Sequence, residues 1–96
     1  MAKVKWSKEA IRDLKEICNY IALDSPYYAN MLNDRVFEMI EYLELFPEMG
    51  RRLPESYDPE VRELIYKSYR IVYQVKRDYI EIITVIHGSR LLKLYE

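Results

Sequence analysis

Apolar residues recur at two different periods along this chain, and the switch between them divides it. Ala10, Ile11, Leu14, Ile17, Cys18 and Ile21 repeat at three- and four-residue steps, which predicts an amphipathic helix from about Lys8 to Leu23. Ser7 stands where an N-cap is needed, and Glu9 in the first turn suits the helix dipole. Asp24-Ser25-Pro26 ends this segment and starts the next, with Asp or Ser as N-cap and proline at the first helical position. Ala29, Leu32, Val36, Met39, Leu43 and Phe46 then carry a second helix to about Phe46, where Pro47 stops it. So short a connection predicts an antiparallel helical hairpin.

The remaining segments read with period two. Lys3 to Trp6 predicts a short first strand, and Pro47 to Glu60 predicts a loop, punctuated by Gly50, Pro54 and Pro59. Three strands follow: Val61–Ile65, Tyr69–Tyr73 and Ile80–His87. Their connections are too short for a crossover helix, so they must form an antiparallel meander. Tyr69, Ile71, Tyr73 and Val75 share one face of the middle strand; Arg70, Val72, Gln74 and Lys76 share the other. In the last strand, alternation puts Ile80, Ile82, Thr84 and Ile86 on one face and Tyr79, Ile83, Val85 and His87 on the other. Both are largely apolar, as expected of an interior strand. The expected class is α+β, in the order β-α-α-β-β-β, with the hairpin covering one face of a small, mainly antiparallel sheet.

Ninety-six residues make one domain, residues 1–96. Half of them are apolar, which supports a globular chain. The net charge of −1 and pI of about 5.9 argue against a protein whose main task is gripping a nucleic-acid backbone. With one cysteine no internal disulfide can form. The N-terminus lacks an apolar targeting core and no stretch is apolar enough to span a bilayer, so a soluble cytoplasmic protein without membrane contact is expected. One histidine and one cysteine give no metal-ligand cluster, and Gly50 and Gly88 cannot build a phosphate loop, so neither metal nor cofactor is expected.

Candidate chemistry concentrates in the meander. Arg62, Arg70, His87 and Arg90 lie in or just beyond strands whose other residues favour burial. His87 is either a strand-end histidine bonded to backbone or the one ready acid/base group. Arg70 either pairs with a carboxylate such as Glu63 or Glu81, or binds a target. Arg62 and Arg90, near strand ends, are expected to face a partner. Cys18 falls on the apolar stripe of the first helix and reads as a small buried hydrophobe. The ten tyrosines suit an interface, although several fit strand propensity alone. Arg51-Arg52 reads as a solvated loop that could also reach nucleic acid. Leu91, Leu92, Leu94 and Tyr95 form a short apolar tail that either docks on its own sheet or joins an interface.

Several segments, taken in order, resemble the ParE/RelE superfamily of bacterial type II toxin–antitoxin toxins. They are Trp6-Ser7 with Ala10, Asp13-Leu14, Ile17 and Tyr20-Ile21; Asp24-Ser25-Pro26 with Ala29; Leu43 with Phe46-Pro47, Gly50-Arg51 and Pro54-Glu55; Val61 to Leu64; Ser68 to Tyr73; and Val85 to Arg90. The ParE type is the more similar. The resemblance implies the fold above, a cognate antitoxin and, for the ParE type, inhibition of DNA gyrase in a plasmid-stabilisation role, without chemistry of its own. The alternative it implies is a RelE-like, ribosome-dependent mRNA endonuclease. Metal-free RNA cleavage needs a base for the 2′-hydroxyl, an acid for the leaving oxygen and cations for the phosphorane. Glu63, Arg70, His87 and Tyr95 would be the catalytic candidates. Val61 and Glu63 stand where some ribonuclease members carry lysines. For antitoxin or target binding the candidates are Arg62, Arg70, His87, Arg90, Leu91, Leu92, Leu94 and Tyr95, with Ile65 and Tyr66 walling an apolar groove beside the sheet.

Overall fold

The computed structural model describes residues 2–88. The elements run β1 (Lys3–Trp6), α1 (Lys8–Ala22), α2 (Pro26–Leu45), β2 (Arg51–Arg52), β3 (Val61–Tyr66), β4 (Tyr69–Val75) and β5 (Tyr79–His87). The five strands form one sheet in the order β1-β5-β4-β3-β2, antiparallel except where β1 runs parallel to β5. This is the expected α+β architecture.

Both helices start where their caps require. The Ser7 hydroxyl accepts from the Ala10 N–H and also donates to the Ile83 carbonyl, each at 2.9 Å, so one cap ties α1 to β5. The Ser25 hydroxyl accepts from the Tyr28 N–H at 3.2 Å, with Pro26 in the first helical turn. The helical stripes meet the sheet in one core. Leu14, Leu32, Val36 and Leu43 pack with Leu64, Ile71, Tyr73, Ile80, Ile82 and Val85. On the outer face Leu53, Val61 and Val72 form a second, smaller cluster joined by Ile83. The segment that follows β2 supplies Leu53 and so covers part of that face.

The turn between α2 and β2 is held from beneath. The Tyr73 hydroxyl donates to the Pro47 carbonyl and accepts from the Gly50 N–H, both at 2.9 Å. A side chain at Gly50 would bring its Cβ to 2.6 Å from the Glu63 carbonyl oxygen, so glycine is required for this approach. Arg62 donates to the Gly50 and Glu48 carbonyls at 2.8 and 3.3 Å from the same side.

Two expectations are corrected. Arg51-Arg52 is a two-residue strand, pairing with Glu63 and Arg62, rather than part of a continuous loop. It is formed by its partner and has no apolar alternation of its own. Simple alternation also fails in β5: Tyr73 opposes Ile82 while Val72 opposes Thr84, so Ile83 is an extra, bulged residue. The bulge returns Val85 to the same core as Ile80 and Ile82.

Candidate functional site

On the outer face, strand register sets three charged residues side by side. Glu63 in β3 opposes Arg51 in β2, and Arg70 follows on β4. The Glu63 side chain is fully buried. One of its oxygens accepts from Arg51 Nε and the other from Arg70 Nε, each at 2.5 Å. Arg70 then turns its two terminal nitrogens to Glu55, at 2.8 and 2.7 Å. The result is an alternating chain, Arg51–Glu63–Arg70–Glu55.

The physical chemistry of this chain is uneven along its length. A buried carboxylate is tolerable only when paired and hydrogen-bonded, which two guanidinium groups accomplish here. Arg70 is itself buried, and its fork on Glu55 is the bidentate geometry that guanidinium offers to carboxylate or phosphate. The hydrogen bonds that Arg70 donates to Glu55, then those it donates to Glu63 and the nearby Glu63 charge, hold its proton more tightly than in free arginine, against the opposing effect of burial. At the open end Arg51 is 61% exposed, so its pair with Glu63 is partly screened by water.

Beside this chain lies a cavity of about 660 Å³, bordered by Arg51, Glu55, Ile65, Lys67, Arg70 and His87. Lys67 enters it from the two-residue turn between β3 and β4 with φ of 52°, a left-handed conformation that a lysine rarely adopts. His87, at the end of β5, opposes Tyr69, and their rings meet edge-on at 5.6 Å. Arg51, Glu55 and Arg70 thus border one space, while the Lys67 ammonium lies near the Tyr28 and Tyr66 rings.

Comparison with known proteins decides what this architecture belongs to. Residues 4–92 match the family described as the ParE toxin of type II toxin–antitoxin systems, parDE. The chain belongs to the ParE toxin family. A putative toxin of Sinorhizobium fredii, Y4kP, is 33% identical over 92 residues, covering 92% of this chain and 90% of that one. Toxin RelE2 of Caulobacter vibrioides is also 33% identical over 92 residues, covering 95% and 100%. Among solved structures, the chromosomal ParDE toxin–antitoxin system of P. aeruginosa superposes with a TM-score of 0.73 at 27% identity, covering 91% and 96%. A conserved hypothetical protein of Helicobacter pylori shares the fold, with a TM-score of 0.61 at 21% identity over 96% of this chain and 100% of that one.

In this ParE-family toxin the residues singled out from sequence separate into groups. Glu63 and Arg70 pair on the outer face, and His87, at the end of β5, borders the same cavity as Arg70. Arg62 lies on the opposite face of β3, where it holds the 47–50 turn. Arg90, Leu91, Leu92, Leu94 and Tyr95 lie outside the described residues. Of the two carboxylates considered for Arg70, Glu63 is a partner, whereas Glu81 pairs with Lys76 at 3.2 Å. Glu55 is the member that sequence reasoning missed as a site residue. Its one local signal is a carboxylate beside Pro54 in a segment otherwise read as loop. Ile65 is half-exposed at the cavity, and Tyr66 packs partly on the helix-side core. Cys18 is half-buried and burial pushes its thiol pKa up, which disfavours the thiolate a nucleophile needs. Among the described residues no cluster of His, Cys, Asp and Glu has metal-holding geometry, and no helix is long and apolar enough to cross a membrane.

Proposed function

We propose that this toxin is held inactive by a cognate antitoxin in the cytoplasm and, once released, binds and inhibits DNA gyrase without chemistry of its own. The observation that carries this reading is the state of Arg70, the strand arginine a ribonuclease of this superfamily would use. Two carboxylates compensate it, one on Nε and one across both terminal nitrogens. A cation so engaged is poorly placed to stabilise a developing phosphorane. Val61 and Glu63 add no positive charge to β3, and the chain as a whole is slightly acidic. The chromosomal ParDE likeness supports an antitoxin partner. That antitoxin would cover the apolar groove beside hairpin and sheet, with Ile65 and the tail leucines as its contacts; Arg90 and Tyr95 would serve gyrase.

A specific observation keeps the RelE-like endonuclease as a second reading. Glu55, Arg70 and His87 border the same cavity, a carboxylate, a cation and an imidazole of the kinds such cleavage uses. Supercoiling assays with purified gyrase separate the two. The gyrase reading expects the toxin to block supercoiling and Arg70→Ala to weaken the block. Untouched gyrase together with mRNA cut on translating ribosomes would instead establish the endonuclease, with Arg70→Ala and His87→Ala abolishing cleavage.

A further inference from the structure

A second cavity, of about 440 Å³, is bordered by both helices and shares no lining residue with the one at Arg70. Ile11, Lys15 and Cys18 reach it from α1, where three- and four-residue steps keep them on one face. Asn33 and Phe37 stand one turn apart on α2. Trp6, the last residue of β1, brings its ring to 5.3 Å from that of Phe37 at an angle of 32°. Leu14 is buried, and Trp6 and Cys18 are half-buried, so these three supply the interior of the hollow. Ile11 and Phe37 flank it while 48% and 45% exposed, an apolar surface that nothing in the hairpin covers.

The polar groups at this cavity are of one kind. Among the described residues that line it, Lys15 is the only charged one, and Asn19 and Asn33 add amide donors. The carboxylates nearby are engaged or directed elsewhere. Asp13 accepts from Thr84 and, with Glu16, borders a different cavity against β5. Glu38, next to Phe37, pairs with Arg35 at 2.7 Å. Asp34 follows Asn33 but sits about 100° further round α2. An apolar, aromatic hollow with a few polar groups on it is the usual form of a small-molecule site.

We propose that this cavity binds a small aryl carboxylate, with its ring against Trp6, Leu14 and Phe37 and its carboxylate at Lys15, where the Asn19 and Asn33 amides add hydrogen bonds. The ring extends the existing aromatic pair, and the single anion meets the single cation. A second copy docked on the same face about a two-fold axis would bring a second Lys15 to it, a like charge that disfavours this occupant. The site stands whichever macromolecule the toxin inhibits.

The chain has one tryptophan and one cysteine, and both border this cavity, so each reports on it alone. The test is NMR titration of the ¹⁵N-labelled toxin with 4-phenylbutanoate, against 4-phenylbutanamide and acetate. Saturable shifts of the Trp6 indole N–H and of the Asn19 and Asn33 side-chain amides are expected with phenylbutanoate, and none with acetate. Phenylbutanamide should bind about fivefold more weakly, the contribution of one exposed ion pair. Lys15→Gln should lower the affinity for phenylbutanoate to that for the amide and leave the amide unaffected. Phe37→Ala should weaken both. Lys15 and Phe37 are exposed, so neither change empties the core. In the unaltered chain phenylbutanoate should also slow the reaction of Cys18 with N-ethylmaleimide, an arm that needs no variant. Absence of saturable binding, or Cys18 reacting at the same rate with and without phenylbutanoate, would overturn the site. Equal affinity for acid and amide, or an unchanged affinity in Lys15→Gln, would overturn the carboxylate. Trp6 shifts that depend on toxin concentration without any ligand, with a dimer in sedimentation, would assign the cavity to a second copy instead.

Discussion

On the helix side of the sheet, burial is achieved by hydrocarbon; on the outer side, by a thin apolar cluster and a chain of paired charges. Leu14, Leu32, Val36 and Leu43 fill the first face against six sheet residues, and even the buried Tyr73 hydroxyl has both a donor and an acceptor. Among the described residues the second face has only Leu53, Val61 and Val72, with Ile83 alongside, before Glu63 and Arg70 take over. The first arrangement is insensitive to small changes in geometry, because dispersion and desolvation are non-directional. The second is directional: each carboxylate must meet its guanidinium. Stability and function are thus divided between the two faces.

The comparison can be broken first on the helix side. Leu43→Ala should cost about 3–4 kcal/mol, since a fully buried leucine leaves a cavity the helices cannot close. Val72→Ala on the outer face should cost about 2 kcal/mol, because a smaller side chain is removed from a smaller cluster. Urea midpoints measure both. If Val72→Ala proved the costlier, the division of stability between the faces would be wrong.

The charged chain should show its own gradient. Glu63→Ala removes the enclosed carboxylate that the buried Arg70 Nε meets and should cost about 3 kcal/mol. Arg51→Ala, at the exposed end, should cost under about 1 kcal/mol. Equal losses in urea unfolding would mean that Arg51, rather than Arg70, holds the buried carboxylate.

Tyr73 sharpens the helix-side account. Removing its hydroxyl in Tyr73→Phe leaves the Pro47 carbonyl and Gly50 N–H without that partner and should cost about 1–2 kcal/mol. Burial is the main cause that raises the Tyr73 pKa above its ordinary value. A raised folded value means that this contribution is fully present below the unfolded pKa of roughly 10 and is lost as pH climbs through the folded one. Stability followed from pH 9 to 12 should therefore fall, and Tyr73→Phe should flatten that fall. The smallest effect belongs to the surface residue Lys76. Hydrogen bonding to Glu81 raises its pKa, yet Lys76→Met should leave the urea midpoint unchanged.

Much of the helix side was legible in sequence, because Ser7, Ser25, Pro26 and the three- and four-residue apolar steps are local signals with local causes. The faces of β4 were legible for the same reason: Tyr69, Ile71 and Tyr73 do pack toward the helices, and Arg70 and Val72 do not. The bulge at Ile83 was hidden because β5 is apolar on both faces, so a slipped residue leaves no trace in the pattern. β2 was hidden because two arginines become a strand only through their pairing with Arg62 and Glu63. Arg70 and Glu63 could be proposed as a pair from their positions on neighbouring strands. Glu55 could not, because it reaches Arg70 from a segment whose path is set by tertiary contacts of Leu53 and Val61.

Pulse labelling tests the central functional claim most directly. The toxin is induced in a bacterium lacking the antitoxin, and incorporation of thymidine and methionine is followed together. The account predicts that DNA synthesis stops first, while methionine incorporation continues until gyrase loss is felt. Prompt arrest of methionine incorporation with DNA synthesis still running would contradict it, and would make Glu55, Arg70 and His87 catalytic groups rather than contacts.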